Sequence, residues 1–391
     1  MSSQKFHHSW GTPPWSISFR PSSRNSGLPR VADFVVIGGG FTGLAAAAWL
    51  RRLAPKHSVL LLEAGEVGAG ASGRTGGMAL AESAAGKLTG LRNVLGELQH
   101  NLDALEIDCD LDVRGALEIG RAAGDHSTKI RGPIEWQDSG TLRVVNRVPG
   151  GTLDPGKLVS GLARAAYRAG AMIRENHRVI AVRWQTTPEV EVAVGGTRQS
   201  AKISAGKMIF ATNALSLPNS GLHKGMHPRL TLAVLTAPAS EKLLEQIGLA
   251  GRHPFYTTDF PYLWGRVRKN RSVVWGAGLV ASPDTHDLEE VNVADAEPAR
   301  IFSQLEQRVR HLHPALANVK FTHRWGGPIL FRDSWEPVFD WHPRTGGREN
   351  AIVAGAYAGH GVALASYLGK WAAEILTGRP RRLPRWGKIE A

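Results

Sequence analysis

The chain has 391 residues, with 42% hydrophobic and 21% charged residues and a formal net charge of +13. That length suits two interleaved domains, and the composition is that of a globular protein rather than a disordered one. A single cysteine, Cys109, excludes an internal disulfide, and no apolar run reaches the roughly eighteen residues of a membrane span.

The first segment, about 1–28, is polar and rich in Ser, Pro and Arg. It has no apolar stretch of the signal-peptide kind, so a cytoplasmic enzyme is expected. Val31 to Ile37 is a short apolar run that ends at glycines, as a buried parallel strand does. Thr42 to Leu53 is rich in alanine and predicts a helix that ends before Pro55. Ser58 to Leu62 completes a βαβ unit with a right-handed crossover.

Leucines at 88, 91, 95, 98, 102 and 105 predict an amphipathic helix over Leu88 to Leu105. Leu158 to Ala169 predicts another helix. Arg178 to Arg183, Val190 to Val194 and Lys207 to Thr212 read as strands, with a turn at Gly195-Gly196. Tyr262 to Val267 and Ser272 to Leu279 make a hairpin about Lys269-Asn270-Arg271. A helix is expected from about Ala294 to Leu312. The strand Ala351 to Gly355, the turn Gly359-His360-Gly361 and an apolar helix from Val362 follow, ending at Gly378-Arg379-Pro380. The dense basic tail, Arg379 to Arg385, reads as solvated.

Gly38-Gly39-Gly40-Phe41-Thr42-Gly43 is a G-x-G-x-x-G turn between a strand and a helix. Gly38 makes the tight turn, Gly40 lets the backbone approach a pyrophosphate, and Gly43 lets helix pack on strand. The helix start, with Phe41 and Thr42, then offers N–H groups and positive dipole to phosphate. Glu63, at the end of the next strand beside Ala64, is placed to accept ribose hydroxyls and disfavours a 2′-phosphate. A second glycine loop, residues 68–77, follows directly. A simple NAD domain has no need of it. Arg74, Thr75, Gly76, Gly77 and the following Met78 can hold another face of a pyrophosphate and reach a flavin edge, which points to FAD.

Taken in order, these residues resemble the D-amino-acid-oxidase-like FAD oxidoreductases, with the closest likeness to the gamma-glutamylputrescine oxidase branch. The shared stretches are Val36 to Leu44, Leu62-Glu63-Ala64, Gly70 to Gly77, Pro261 to Arg266, Trp325 to Ile329 and Tyr357 to Leu364. The resemblance implies an α/β fold: a Rossmann-like FAD-binding domain, discontinuous in sequence, with an inserted α+β substrate domain carrying a large antiparallel sheet. The expected division is an arm at 1–30, the FAD domain at 31–85, 150–219 and 325–378, the substrate domain at 86–149 and 220–324, and a tail at 379–391. It also implies that Val179 meets the adenine, that Asn213 lies beside the pyrophosphate, and that Gly359, His360, Gly361 and Val362 lie under the pyrimidine edge of the isoalloxazine. Cys109 stands outside the shared stretches, and no histidine lies between Arg74 and Gly90. Non-covalent FAD is therefore expected.

The activity implied is oxidation of a small amine or amino acid. A hydride leaves the carbon next to nitrogen for flavin N5, the imine hydrolyses, and O2 reoxidises the flavin to give peroxide. Aromatic side chains are natural walls for an amine. Tyr262 and Trp264 alternate along a strand and can share one face, and Arg266 continues that face toward a substrate carboxylate. The same residues also read as a core stripe ending in a surface arginine. Trp325, Tyr357 and His360 are further candidates, although His360 also reads as a helix cap and Arg324 as a surface charge. The 15 histidines give no H-x-x-x-H pair on a helix and there are no paired cysteines, so no metal is expected. Three other readings stay open: a dehydrogenase that hands electrons to a partner or quinone, an RNA-related flavoprotein suggested by the charge, and a non-catalytic FAD-binding protein.

Overall fold

Strand β1, Val31–Ile37, buries its last four residues on both faces, as the centre of a parallel sheet requires. The computed structural model describes residues 9–21, 27–121, 133–195, 199–215, 217–222, 224–258, 262–281 and 288–390. Pro261 of the shared motif and Gly196 of the expected turn lie outside the described residues.

Helix α1, Phe41–Leu53, follows β1, and β2, Val59–Leu62, returns parallel to it. Next come β3, Met78–Leu80, and α2, Val94–Ala104. The helix predicted from Leu88 thus starts six residues later. Gly90 has a φ of +79°, which breaks the earlier turn, and the Asn93 side chain caps the helix by accepting from Gly96 N at 3.1 Å. Strands β4 (Ala116–Arg121), β5 (Glu135–Gln137), β6 (Thr141–Val148) and β7 (Gly150–Thr152) lead to α3, Pro155–Arg168. Asp154 caps α3 and Pro155 occupies its first turn, where a missing N–H costs nothing.

The chain continues through β8 (Met172–Arg174), β9 (His177–Arg183), β10 (Glu189–Val194), β11 (Ser200–Phe210), α4 (Leu217–Ser220), β12 (Met226–Thr236) and α5 (Glu241–Gln246). After these come β13 (Phe255–Thr257), β14 (Trp264–Val267), β15 (Val273–Val280), α6 (Ala296–Leu312) and β16 (Phe321–Arg332). The last elements are β17 (Val338–Trp341), β18 (Ala351–Gly355) and α7 (Gly361–Leu376). The predicted hairpin is β14–β15, antiparallel as expected, but its first strand begins at Trp264 and leaves Tyr262 outside.

Two eight-stranded sheets result. The first runs β17-β18-β11-β1-β2-β8 and is parallel from β18 to β8, with β9 and β10 added through the long β11. The second runs β16-β12-β15-β14-β13-β4-β6-β5 and is antiparallel except where β13 pairs with β4. Residues 325–332, which fall in the stretch expected to form part of the FAD-binding domain, pair with β12 along its length and so lie in this second sheet. Helices α1, α2, α3 and α7 pack with Val36, Leu61, Ile209 and Ile352 on one face of the first sheet. On the other face Val35, Leu60, Met208 and Val353 join a core that runs on to Leu232 and Trp275 of the second sheet and to Phe302 of α6. A fully buried Leu or Ile in either cluster contributes about 2 kcal/mol.

The basic tail is not merely solvated. Arg381 donates to Glu374 Oε2 and to the Tyr367 hydroxyl, both at 2.6 Å, and its guanidinium lies 4.2 Å from the centre of the Trp371 ring. Trp386 is buried edge-on to Trp371. The tail docks because α7 presents aromatic rings and a carboxylate that fit it.

Candidate active site

The turn after β1 is shaped by close backbone approach. Gly38 has a φ of +108°, and a Cβ there would stand 2.6 Å from the Ala211 carbonyl. A Cβ on Gly43 would stand 1.9 Å from the Gly38 carbonyl, so only glycine lets α1 start here. The N-cap, Gly40, offers no side-chain acceptor to the first turn of α1. Glu63 closes the turn from below, accepting from Gly39 N at 2.7 Å and from Gly65 N at 2.9 Å. Burial raises its pKa above the usual carboxylate value, and these two N–H groups oppose the rise. The Thr42 and Tyr357 hydroxyls meet at 2.7 Å, which ties the turn to the segment before α7.

The second glycine loop is held from three directions. Arg74 donates to the carbonyls of Ala69 (3.0 Å), Gly11 (2.8 Å) and Gly326 (3.2 Å), and its guanidinium lies over the Trp10 ring. Burial lowers its pKa to about 10, so it stays cationic at neutral pH. Trp15 Nε1 donates to Gly73 O at 2.7 Å and Trp325 Nε1 to Arg74 O at 2.9 Å. Ser72 Oγ accepts from Phe41 N at 2.9 Å and so joins this loop to the start of α1.

The third segment precedes α7. Ala356, Ala358 and Gly359 have φ values of 54°, 50° and 85°. Two alanines in the left-handed region mark stored backbone strain, held in part by Asn213 Oδ1, which accepts from Ala356 N at 2.9 Å. His360 occupies the N-cap of α7 without a side-chain cap; its Nδ1 instead meets Ala358 O at 3.2 Å.

These segments enclose one cavity of about 1180 Å³. That exceeds the roughly 300–1,000 Å³ of ordinary ligand pockets, as holding a dinucleotide together with a substrate requires. Two helix N-termini whose N-cap residues, Gly40 and His360, make no side-chain cap, those of α1 and α7, open into it. Both favour negative charge. In its wall the buried Thr212 Oγ1 has no hydrogen-bond partner among the described residues, an orphan that a bound polar group would satisfy. Glu63, Val179 and the Arg178–Glu289 ion pair (2.6 Å) mark one end. The other end is floored by the second sheet. The donor set, the glycine cradle and the orphan hydroxyl fit a flavin dinucleotide.

Over residues 33–375 the chain matches the DAO family of FAD dependent oxidoreductases. The chain belongs to this family. It is similar to a probable oxidoreductase OrdL of Rhizobium meliloti (strain 1021), 27% identical over 90% of this chain and 85% of that one. It is also similar to the gamma-glutamylputrescine oxidoreductase of Escherichia coli (strain K12), 26% identical over 91% of this chain and 86% of that one. Among solved structures, the fold matches glycine oxidase from Geobacillus kaustophilus with a TM-score of 0.70 at 19% identity, covering 93% of this chain and 100% of that one. The cofactor of this oxidoreductase is FAD.

Most residues singled out in the sequence line the cavity of the oxidoreductase. They are Gly38, Gly40, Phe41, Thr42, Glu63, Ala64, Arg74, Thr75, Gly76, Met78, Val179, Asn213 and the run from Gly359 to Val362. Gly43 and Gly77 stand behind the lining, where each allows a close backbone approach. Cys109 is buried away from the lining, and burial with nearby Asp108 and Asp110 pushes its thiol up to about 12. Tyr262, Trp264, Trp325, Tyr357 and His360 face the cavity, but the Tyr357 hydroxyl is committed to Thr42 of the phosphate turn. Arg324 lies outside and pairs with Glu306 at 2.7 Å.

Arg266 corrects the expected carboxylate contact. It does follow Trp264 by two residues, but the 76–77 loop covers that end of the face. Its guanidinium is buried beneath the loop, donates to the Gly76 carbonyl and lies outside the lining.

Sequence reasoning named Trp264 and Trp325 but missed the rest of the floor to which they belong. Asn146, Glu118, Tyr256, Trp264, Gly276, Ala233 and Trp325 are register partners on seven consecutive strands, a single rung across the second sheet. Trp264 lies flat over Gly276, where a Cβ would stand 2.0 Å from its ring. The only local signal was the exposed-versus-buried alternation within each short strand, which says nothing about which strands share a rung.

Proposed function

We propose that this oxidoreductase oxidises the carbon–nitrogen bond of a small amine or amino acid and returns the electrons to O2 as peroxide. The observation that carries the reading is the aromatic rung, Tyr256, Trp264 and Trp325, which lines the same cavity as the segment leading into α7. The names of similar proteins, gamma-glutamylputrescine oxidoreductase and glycine oxidase, support it. FAD, when bound, supplies the two-electron acceptor.

The chain's own residues supply position, field and dryness. Glu63 would accept from the ribose hydroxyls, and the first turn of α1 would donate to the pyrophosphate. Val179, at that end of the lining, would border the adenine. The N-terminus of α7, with Gly359, Gly361 and Val362, would favour negative charge at the pyrimidine edge of the ring. Trp264 walls the substrate so that the carbon next to nitrogen is held in place and water is kept out. Burial holds the His360 imidazole pKa below its usual 6.5, so a neutral ring faces the substrate amine at neutral pH.

Anaerobic mixing with a panel of amines and amino acids tests this: at least one bleaches the flavin, and air then restores the yellow colour with one peroxide per turnover. A flavin that no amine or amino acid bleaches overturns the reading. Bleaching without peroxide in air overturns the oxidase part and assigns the electrons to another acceptor.

A further inference from the structure

The polar end of the rung carries charge of one sign. Glu118 Oε1 accepts from the Tyr256 hydroxyl at 2.5 Å, and Glu118 Oε2 accepts from Asn146 Nδ2 at 2.8 Å. All three side chains line the cavity. Burial and the neighbouring Glu118 raise the Tyr256 pKa, so its hydroxyl remains a donor. A carboxylate offers about four lone-pair sites. Two are taken by neutral donors that fix its direction, and no basic side chain among the described residues pairs with it.

Glu82, with His360, borders the same region. Among the described residues, the arginines and lysines on the cavity wall are Arg74 and Arg178 alone. The first is held by loop carbonyls and the second by Glu289. Arg266, which would have met a substrate carboxylate, lies under the loop. An α-carboxylate entering this end of the cavity would face like charge, whereas an ammonium would meet an oriented acceptor beside the ring of Tyr256.

We propose that Glu118, oriented by Tyr256 and Asn146, binds an ammonium group remote from the carbon being oxidised, and that the substrate is an alkyl diamine or a similar amine with a second, distal positive charge. Glu118 lies two strands from Trp264, about 10 Å at ordinary strand spacing. The recognised charge is therefore separated from the reacting carbon by several methylenes. The inference rests on the amine reading above and narrows it.

The test compares putrescine and cadaverine with butylamine, pentylamine, glycine and D-alanine, in the FAD-loaded wild type and in E118Q and Y256F. In the wild type kcat/KM favours each diamine over the monoamine of equal length by about 10- to 100-fold, the scale of one charge-assisted contact. E118Q collapses that ratio toward one through KM, while its FAD content and melting temperature stay near wild type. Y256F keeps the carboxylate and retains most of the preference. Monoamines or amino acids that serve as well as diamines overturn the inference and leave the amine reading standing, and so does an E118Q enzyme that keeps the wild-type ratio. A flavin that no amine reduces overturns both. Should E118Q fail to fold, Y256F with the wild-type panel decides: loss of the whole preference there, with FAD retained, assigns recognition to the tyrosine and overturns the role of Glu118.

Discussion

Arg266 shows how a single residue changes meaning when its surroundings are known. By alternation it belongs with Trp264, and it does share that face, yet its guanidinium serves the Gly76 carbonyl under the second glycine loop. Its pKa, lowered by burial to about 10, leaves it charged at neutral pH. Truncating it to alanine strands a buried carbonyl and opens a void, at a cost of about 2–4 kcal/mol. The expected outcome for Arg266→Ala is loss of FAD on gel filtration together with a lower melting temperature. An enzyme that keeps its FAD and changes only KM for carboxylate-bearing substrates would return Arg266 to the substrate. His360 gives a pH signature. Burial is the main cause of its lowered pKa, opposed by the Ala358 carbonyl and the charge of Glu82. The unfolded chain takes up this proton near pH 6.5 and the folded chain only at lower pH, so acidification through that window costs stability. The melting temperature should be flat in this respect above about pH 7 and fall below about 6.5, and His360→Asn should remove part of that fall.

At the level of elements, the cavity depends on how closely α1 and α7 approach. A Cβ on Gly369 of α7 would stand 2.3 Å from the Thr42 carbonyl on α1. The two helices carry the two N-termini that open into the cavity, and the Thr42–Tyr357 hydrogen bond ties α1 to the segment that enters α7. Gly369→Ala should push them apart at a cost of about 1–3 kcal/mol. The measurement is FAD affinity by reconstitution of the apoprotein, with weakened binding expected although residue 369 lies outside the cavity lining. Unchanged affinity would show that the spacing of these helices is not what sets it. The elements themselves were largely legible. α1, α6, β1, β9, β18 and the β14–β15 hairpin match their patterns to within a few residues, because each carries its own period and its own breakers. The helix expected from Leu88 failed where Gly90 and Asn93 override the leucine spacing. The tail was misjudged because its partners, Glu374, Tyr367 and Trp371, lie on α7 and not in the tail.

Across the whole molecule, the site is where a parallel sheet with its helices meets the floor of a second sheet. Gly276 tests that floor without touching the phosphate turn. Gly276→Ala places a Cβ into the Trp264 ring, so the indole must leave its position while the α1 turn stays intact. FAD content should hold near wild type and amine turnover should fall by at least about tenfold, as displacement of a positioning wall does; full turnover in this variant would remove Trp264 from the substrate site. The cofactor half was readable in the sequence because a phosphate turn is local: Gly38 to Gly43, Glu63 and the 68–77 loop are contiguous backbone whose spacing is itself the chemistry. Of the substrate half, Trp264 and Trp325 could be named, but not the neighbours they meet. Asn146, Glu118, Tyr256, Trp264 and Trp325 come from strands scattered over more than half the chain and meet only through register. Register is a property of the paired sheet, and a slip of one residue would turn every one of these side chains to the opposite face. The sequence alone therefore determined which cofactor is held and by which turn. Only the tertiary structure decided that Arg266 serves a loop and that Glu118 faces the cavity in its place.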